Sequence, residues 1–237
     1  MRVLVVSPHF DDAPLSLGQS LIDGDLATPR VTVGVVFGRT NWIRWMYPTR
    51  RRAPIAGAVR RAEELFAAAR FGYRLRIGRR EEAMLRLGTT DTAAYLDPTF
   101  DAAGSPELAP VVTLIEGWAA GADQVLVPLG LGDHVDHLVC AEAGRVLAGR
   151  GVPVGFYEDR PYVSFGTSDD VSRRAETVDA ALRPVDVSGP ITAAKRRRLF
   201  YPSQIDDTFE RALRLDTETV HHERVWVDPE TGWPIGR

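Results

Sequence analysis

A single cysteine, Cys140, stands among 237 residues. One thiol excludes an internal disulfide framework and a cysteine-based zinc ribbon, and it suits a reducing compartment. As a small apolar side chain on a helix it is expected to be inert. Long apolar runs are missing too. No stretch approaches the roughly 20 apolar residues that cross a bilayer, and the opening "MRVLVV" is far shorter than a signal-peptide core, so the chain is expected to be soluble and cytoplasmic. Neither sign of charge dominates: 29 Lys and Arg against 32 Asp and Glu leave a formal −3, which gives no broad field to attract nucleic acid or an anionic membrane. Fixed-period repeats, low-complexity tracts and a G-x-G-x-x-G loop for a dinucleotide are all absent. What is present, 44 % hydrophobic and 26 % charged residues, is enough for one large core, and a single domain over 1–237 is expected.

The hydrophobic pattern alternates between two periods. Apolar, β-branched runs at 2–6, 30–38, 73–78, 124–130 and 152–158 read as strands, and helical spacing marks 14–22, 58–72, 105–121, 138–151, 191–204 and 206–215. In 58–72 the apolar positions Ala58, Ala62, Leu65, Phe66 and Ala69 fall on one helical face, and Gly72 is the stop. Segment 39–57, "RTNWIRWMYPTRRRAPIAG", fits neither period and reads as a long loop whose aromatics could close over a ligand. The last residues read as a short edge strand and a Pro/Gly-rich tail, with His221 and His222 at the surface. Short connections between alternating strands and helices predict an α/β fold: a doubly wound, mainly parallel sheet with helices on both faces. Ligands of such sheets bind beyond the carboxyl ends of the strands, where the strand order reverses.

Two loops at such strand ends hold three of the five histidines. "SPHFDD" follows the first strand and "GDHVDH" follows the strand at 124–130. If those strands are neighbours, the loops face each other across a cleft. Two imidazoles and a carboxylate can then hold a metal with one position open for water, as catalytic zinc sites do, lowering the pKa of that water toward about 7. A further carboxylate could take a proton and a further imidazole could stabilise the intermediate. Taken singly, Asp11 or Asp12 could instead cap the helix that Pro14 opens, and Asp133 or Asp136 could cap the helix at 138.

"SPHFDDAPLSLG" resembles the "PHxDDE…G" signature of the PIG-L (LmbE-like) zinc-dependent deacetylases, and "GDHVDH" resembles that family's "HPDH" loop. Weaker similarities follow in the same order: "VFGRTNW", "VRRAEE", "EAMLR", "FYEDRPY" and "KRRRLFYPSQ". The resemblance implies a Rossmann-like domain that removes an N-acyl group, usually acetyl, from an amino sugar or its conjugate. It implies that His9, Asp12 and His137 bind zinc, for which ferrous iron is an alternative with the same ligands. Asp11 would be the general base, and His134 would stabilise the oxyanion and help protonate the departing amine. Arg60, Glu82 and Arg86 match positions that contact substrate or order loops, although Arg60 and Glu63 could equally form a helix-surface pair. Ala13 and Glu82 depart from the family's usual Glu and Asp.

The later motifs are similar to the branch that acts on sugar-bearing secondary metabolites, so the expected partner is a small N-acetylated sugar or glycoconjugate. Nucleic acid and membrane are not expected partners, and oligomerisation is left open. The alternatives are an amidase of the same mechanism acting on a non-sugar amide or thiol conjugate, or a non-catalytic metal- or sugar-binding domain. A nucleotide-binding module is disfavoured, because an anion in the first loop would meet Asp11 and Asp12.

Overall fold

Alternate side chains of the first strand, β1 (Arg2–Ser7), point to opposite faces of a sheet, and both faces are covered. Val3 and Val5 join one apolar cluster and Leu4 and Val6 another, which is why this strand reads as a continuous apolar run. The structure is a computed structural model in which residues 1–219 and 221–231 are described; the end of the expected tail, 232–237, lies outside the described residues. After β1 come α1 (Asp12–Asp23), β2 (Arg30–Val35), α2 (Ala53–Phe71), β3 (Arg74–Ile77), α3 (Ala83–Leu87) and α4 (Leu108–Ala119). The chain continues through β4 (Gln124–Pro128), α5 (Val135–Ala148), β5 (Val154–Tyr157), α6 (Tyr162–Phe165), α7 (Ser168–Val178), β6 (Arg183–Pro190), α8 (Ala193–Arg198), α9 (Asp207–Glu218) and β7 (His222–Val227).

The strands form one sheet in the order β3-β2-β1-β4-β5-β7-β6. The first five are parallel and β7 runs antiparallel to both its neighbours. The expected mainly parallel α/β sheet is therefore present. From β1 the chain moves outward to β2 and β3, then returns to lay β4 on the other side of β1, Val3 beside Gln124. That reversal places the loops after β1 and β4 over one crevice. The final strand is not at the edge as expected. β7 buries Val225, Trp226 and Val227 inside the sheet, while the edge is β6, whose Pro184 and Pro190 suit a strand with one unpaired side.

Helix boundaries shift most where polar residues face inward. α2 starts at Ala53, five residues before the expected start, because Pro54 sits in its first turn; it ends at Gly72, whose φ of 81° is the left-handed stop. Its orientation is the reverse of what its periodicity suggests. Leu65 and Phe66 are 53 % and 46 % exposed, and the buried face carries Ala56, Arg60, Glu63, Glu64, Ala67, Ala68 and Phe71. Arg60 and Glu63 are thus no surface pair: each has its own buried partner. Glu63 accepts from the Ser203 amide at 2.8 Å and from the Ser203 hydroxyl.

The helix expected over 191–204 stops at Arg198, and the segment before Pro202 turns inward. Tyr201 and Ser203 become buried there. Lys195, expected within a solvated basic helix, is fully buried and pairs with Glu223 at 2.7 Å. Together these contacts dock α8 and the following turn onto α1 and α2.

Candidate active site

The loop after β1 enters α1 through Asp11, which stands at the N-cap position yet makes no side-chain cap bond. Its φ is 86°, a left-handed conformation that a residue with a Cβ adopts at a cost of about 1–2 kcal/mol. Among the described residues the one other non-glycine with positive φ is Asp133, φ 56°, in the loop after β4. Strain of this kind persists where surrounding contacts impose it. Here the Asp11 amide donates to Glu64 Oε2 at 3.0 Å, and Glu64 is itself held by the hydroxyls of Tyr73 at 2.6 Å and Tyr201 at 2.9 Å. The Asp11 side chain is thereby released from capping and faces the crevice.

Asp12, His9 and His137 converge. One oxygen, Asp12 Oδ2, lies 3.4 Å from His9 Nδ1 and 3.3 Å from His137 Nε2. The remaining ring nitrogens are each tied to a buried carboxylate: His9 Nε2 to Asp136 Oδ2 at 3.0 Å and His137 Nδ1 to Asp159 Oδ1 at 2.6 Å. A carboxylate on the far nitrogen fixes the tautomer and raises the donor strength of the near one, an arrangement typical of histidines that ligate metals. His134 completes an overlapping set, since the facing nitrogens of His9, His134 and His137 all lie within 4.8 Å. Of the two sets, the one with Asp12 has the tighter convergence. His134 caps α5 instead, its Nδ1 accepting the Asp136 amide at 3.2 Å, which leaves the proton of the neutral ring on Nε2.

Electrostatics separate the roles further. Burial lowers the affinity of His9 for a proton, but Asp12 and Asp136 outweigh it and lift its pKa to about 9; His137 is likewise raised, against burial, by Asp12 and Asp159. Burial penalises the charge on Asp12, yet the two imidazoles hold it well below the usual carboxylate range. Asp11 goes the other way: burial first and Asp12 second push it well above that range, with Arg60 opposing from 3.8 Å. His134 is depressed to about 3 by burial and by its neighbours His9 and His137. Two adjacent aspartates thus differ in basicity, and the cluster favours added positive charge among Asp11, Asp12, Asp136 and Asp159.

The donor set fits a divalent cation: two imidazole nitrogens and a carboxylate oxygen facing one another, each imidazole oriented from behind. Asp136 and Asp159 are the residues sequence reasoning left without a role. Asp136, allotted at most to capping, also accepts from the Ala83 amide at 2.8 Å and from Arg86 at 2.8 Å. Asp159 also accepts the Gly130 and Leu131 amides at 2.8 and 3.0 Å. A usable signal existed: like the histidine loops, "FYEDRPY" follows directly on a strand at the same edge of the sheet. Asp159→Asn is expected to weaken divalent-metal affinity about 10- to 100-fold, measured by competition with a chromogenic chelator. An unchanged affinity would remove Asp159 from the site.

Above this cluster lies a cleft of about 600 Å³, with His9, Asp11, Asp12, His134 and His137 in its lining. Arg60 and Glu82 also line it, joined to each other at 3.0 Å, while Arg60 also donates to the Phe10 carbonyl at 3.1 Å. Arg86 is drawn away to Asp136 and to the Glu81 carbonyl. Trp42 and Tyr95 contribute aromatic walls, as do Tyr162, Phe165 and Phe209. Tyr162 packs edge-on to His137 with ring centroids 6.0 Å apart, and Gly132 permits this, since a Cβ there would collide with the tyrosine ring. Of the expected lid, Trp42 reaches the cleft, whereas Trp45 and Tyr47 are exposed. His221 and His222, expected at the surface, are half-buried beside a second cavity beyond α6. Cys140 is buried on α5, as expected.

No protein-family profile matches the chain. It is 33 % identical over 232 residues to 2'-N-acetylparomamine deacetylase of Streptomyces fradiae, covering 94 % of this chain and 78 % of that protein. Among solved structures, the deacetylase of teicoplanin biosynthesis in complex with teicoplanin superposes with a TM-score of 0.63 at 20 % identity, over 96 % of this chain and 98 % of the other. The A40926 pseudoaglycone deacetylase gives 0.60 at 21 % identity, over 95 % and 96 %. At these identities the two structures establish the shared fold.

Proposed function

The chain belongs to the deacetylase family of 2'-N-acetylparomamine deacetylase, and on that premise we propose that it is a metal-dependent N-deacetylase of the PIG-L (LmbE-like) type. It removes an acetyl group from an amino sugar or amino-sugar conjugate made as a secondary metabolite. The whole chain acts as one such domain, in the cytoplasm; among the described residues no helix is long and apolar enough to cross a membrane. The observation that carries this reading is the shared approach of His9 Nδ1 and His137 Nε2 to one oxygen of Asp12 at the floor of the cleft.

In this mechanism His9, Asp12 and His137 hold the metal, zinc or ferrous iron. When bound, the metal supplies Lewis acidity that acidifies a water and polarises a carbonyl. Asp11 accepts the proton of the attacking water, a role suited to a carboxylate whose basicity is raised by burial. His134 donates from Nε2 to the carbonyl oxygen as negative charge develops there, its ring oriented by the Asp136 amide. The proton taken from water passes to the amine nitrogen as the C–N bond breaks, so acetate and a free amine leave. Arg60 and Glu82 shape the cleft beside Asp11, and the aromatic walls stack on sugar rings. Arg86 supports the site through Asp136.

The test is acetate release from a panel of N-acetylated amino sugars and glycoconjugates, with metal content measured on the same preparation. Acetate formation that stops on chelation and returns with added metal is expected. Release that persists at full rate in metal-free protein would overturn the reading.

A further inference from the structure

We propose that Asp206 anchors a free ammonium group of the substrate, so that the substrate class is an N-acetylated oligosaccharide that also carries at least one unacetylated amine. This rests on the N-deacetylase reading above and adds to it the part of the substrate that does not react.

Asp206 lines the cleft at the start of α9. Its Oδ1 caps the helix, accepting the Thr208 amide at 2.9 Å and the Phe209 amide at 3.1 Å. Its Oδ2 has no hydrogen-bond or ion-pair partner among the described residues. Every other acid of the cleft lining is engaged: Asp12 with His9 and His137, Asp11 beside Arg60, and Glu82 with Arg60 and Thr40.

Positive charge in the lining is scarce. Apart from the histidines, Arg60 is its sole cation, and that guanidinium is spent on Glu82 and the Phe10 carbonyl. Two further arginines lie close but outside the lining: Arg44 donates to the Ile205 carbonyl at 2.7 Å, and Arg211 stacks over the outer ring of Phe165, 5.8 Å from its centroid. An anionic substrate arm would therefore find no free counter-charge in this part of the cleft. An ammonium group would find the open carboxylate oxygen, with the rings of Phe165 and Phe209 in the same lining and able to receive a cation on their faces. Capping alone does not require the charge, because asparagine caps a helix as well as aspartate.

That equivalence makes Asp206→Asn a clean variant: the cap is retained and the charge is removed. Calorimetry on metal-loaded protein compares mono-N-acetylchitobiose, which has one ammonium group, with neutral N,N'-diacetylchitobiose. Wild type is expected to bind the monoacetyl sugar about tenfold more tightly, the scale of one charge-assisted hydrogen bond. The difference should shrink as salt is raised. Asp206→Asn should remove the preference at an unchanged melting temperature, and Asp206→Glu should restore part of it. Equal preference in Asp206→Asn and wild type, no preference in wild type, or no detectable binding of the monoacetyl sugar would each overturn the proposal. Failure of the N-deacetylase reading shows separately, as absence of acetate release from any sugar whatever the binding data give.

Discussion

Asp11→Asn is expected to lower kcat by about a hundred- to ten-thousand-fold, the usual worth of a positioned general base, with metal content and melting temperature unchanged. Asparagine is the informative substitution because of the backbone. Asp11 sits at φ 86°, a region that asparagine enters far more readily than alanine does. Asp11→Ala would therefore mix lost basicity with added strain. The amide of residue 11 can still donate to Glu64 Oε2, so the loop keeps its anchor. Steady-state kinetics with metal analysis of the same protein check the prediction. A kcat within threefold of wild type, with metal bound, would remove Asp11 from the proton-transfer step.

The second large effect is expected at His137. His137→Gln should abolish stoichiometric metal binding and reduce acetate release to background, because a donor is lost where only three protein ligands converge. Stability should fall as well. His137 is almost fully buried between Asp12 and Asp159, and removing one partner of a buried ionic pair costs roughly 3–5 kcal/mol. Thermal melts with and without added divalent metal separate the two consequences. Wild type should melt higher with metal, by an increment near 2.7 kcal/mol of stabilisation when metal is about a hundredfold above its Kd. The variant should melt lower and show no such increment. A metal-dependent rise of wild-type size in His137→Gln would place the metal elsewhere, and the three-imidazole set with His134 would be excluded by the same result.

Most elements of the parallel half were legible because their signals are local. Strands β1, β2 and β4 are buried on both faces and read as apolar runs, and Gly72 announces the end of α2 by the backbone freedom it supplies. β6 was not legible: with two prolines, a glycine and mostly exposed side chains, "RPVDVSGP" lacks the pattern of a buried strand. The face of α2 was misread for a related reason. Its apolar positions are real, but buried Arg60, Glu63 and Glu64 outrank them, and a charged side chain is tolerated inside only when distant residues supply its partners. Those partners come from Glu82, Ser203, Tyr73 and Tyr201, which no local periodicity can indicate.

The candidate site divides along the same line. Chain order alone determined that "PHFDD" and "HVDH" each close a strand and open a helix, and the parallel, switch-point topology brings such loops together. Donor types were thus settled by sequence. Which aspartate does what was decided in three dimensions: Asp12 lies between two imidazoles, whereas Asp11, one residue earlier, is turned by its positive φ toward Arg60 and the cleft. Asp136, Asp159 and Glu64, which hold the site residues from behind, also belong to the folded state alone. Hydrogen bonds act over about 3 Å, and the pairs Glu64–Asp11, Asp136–His9 and Asp159–His137 are separated in the chain by 53, 127 and 22 residues.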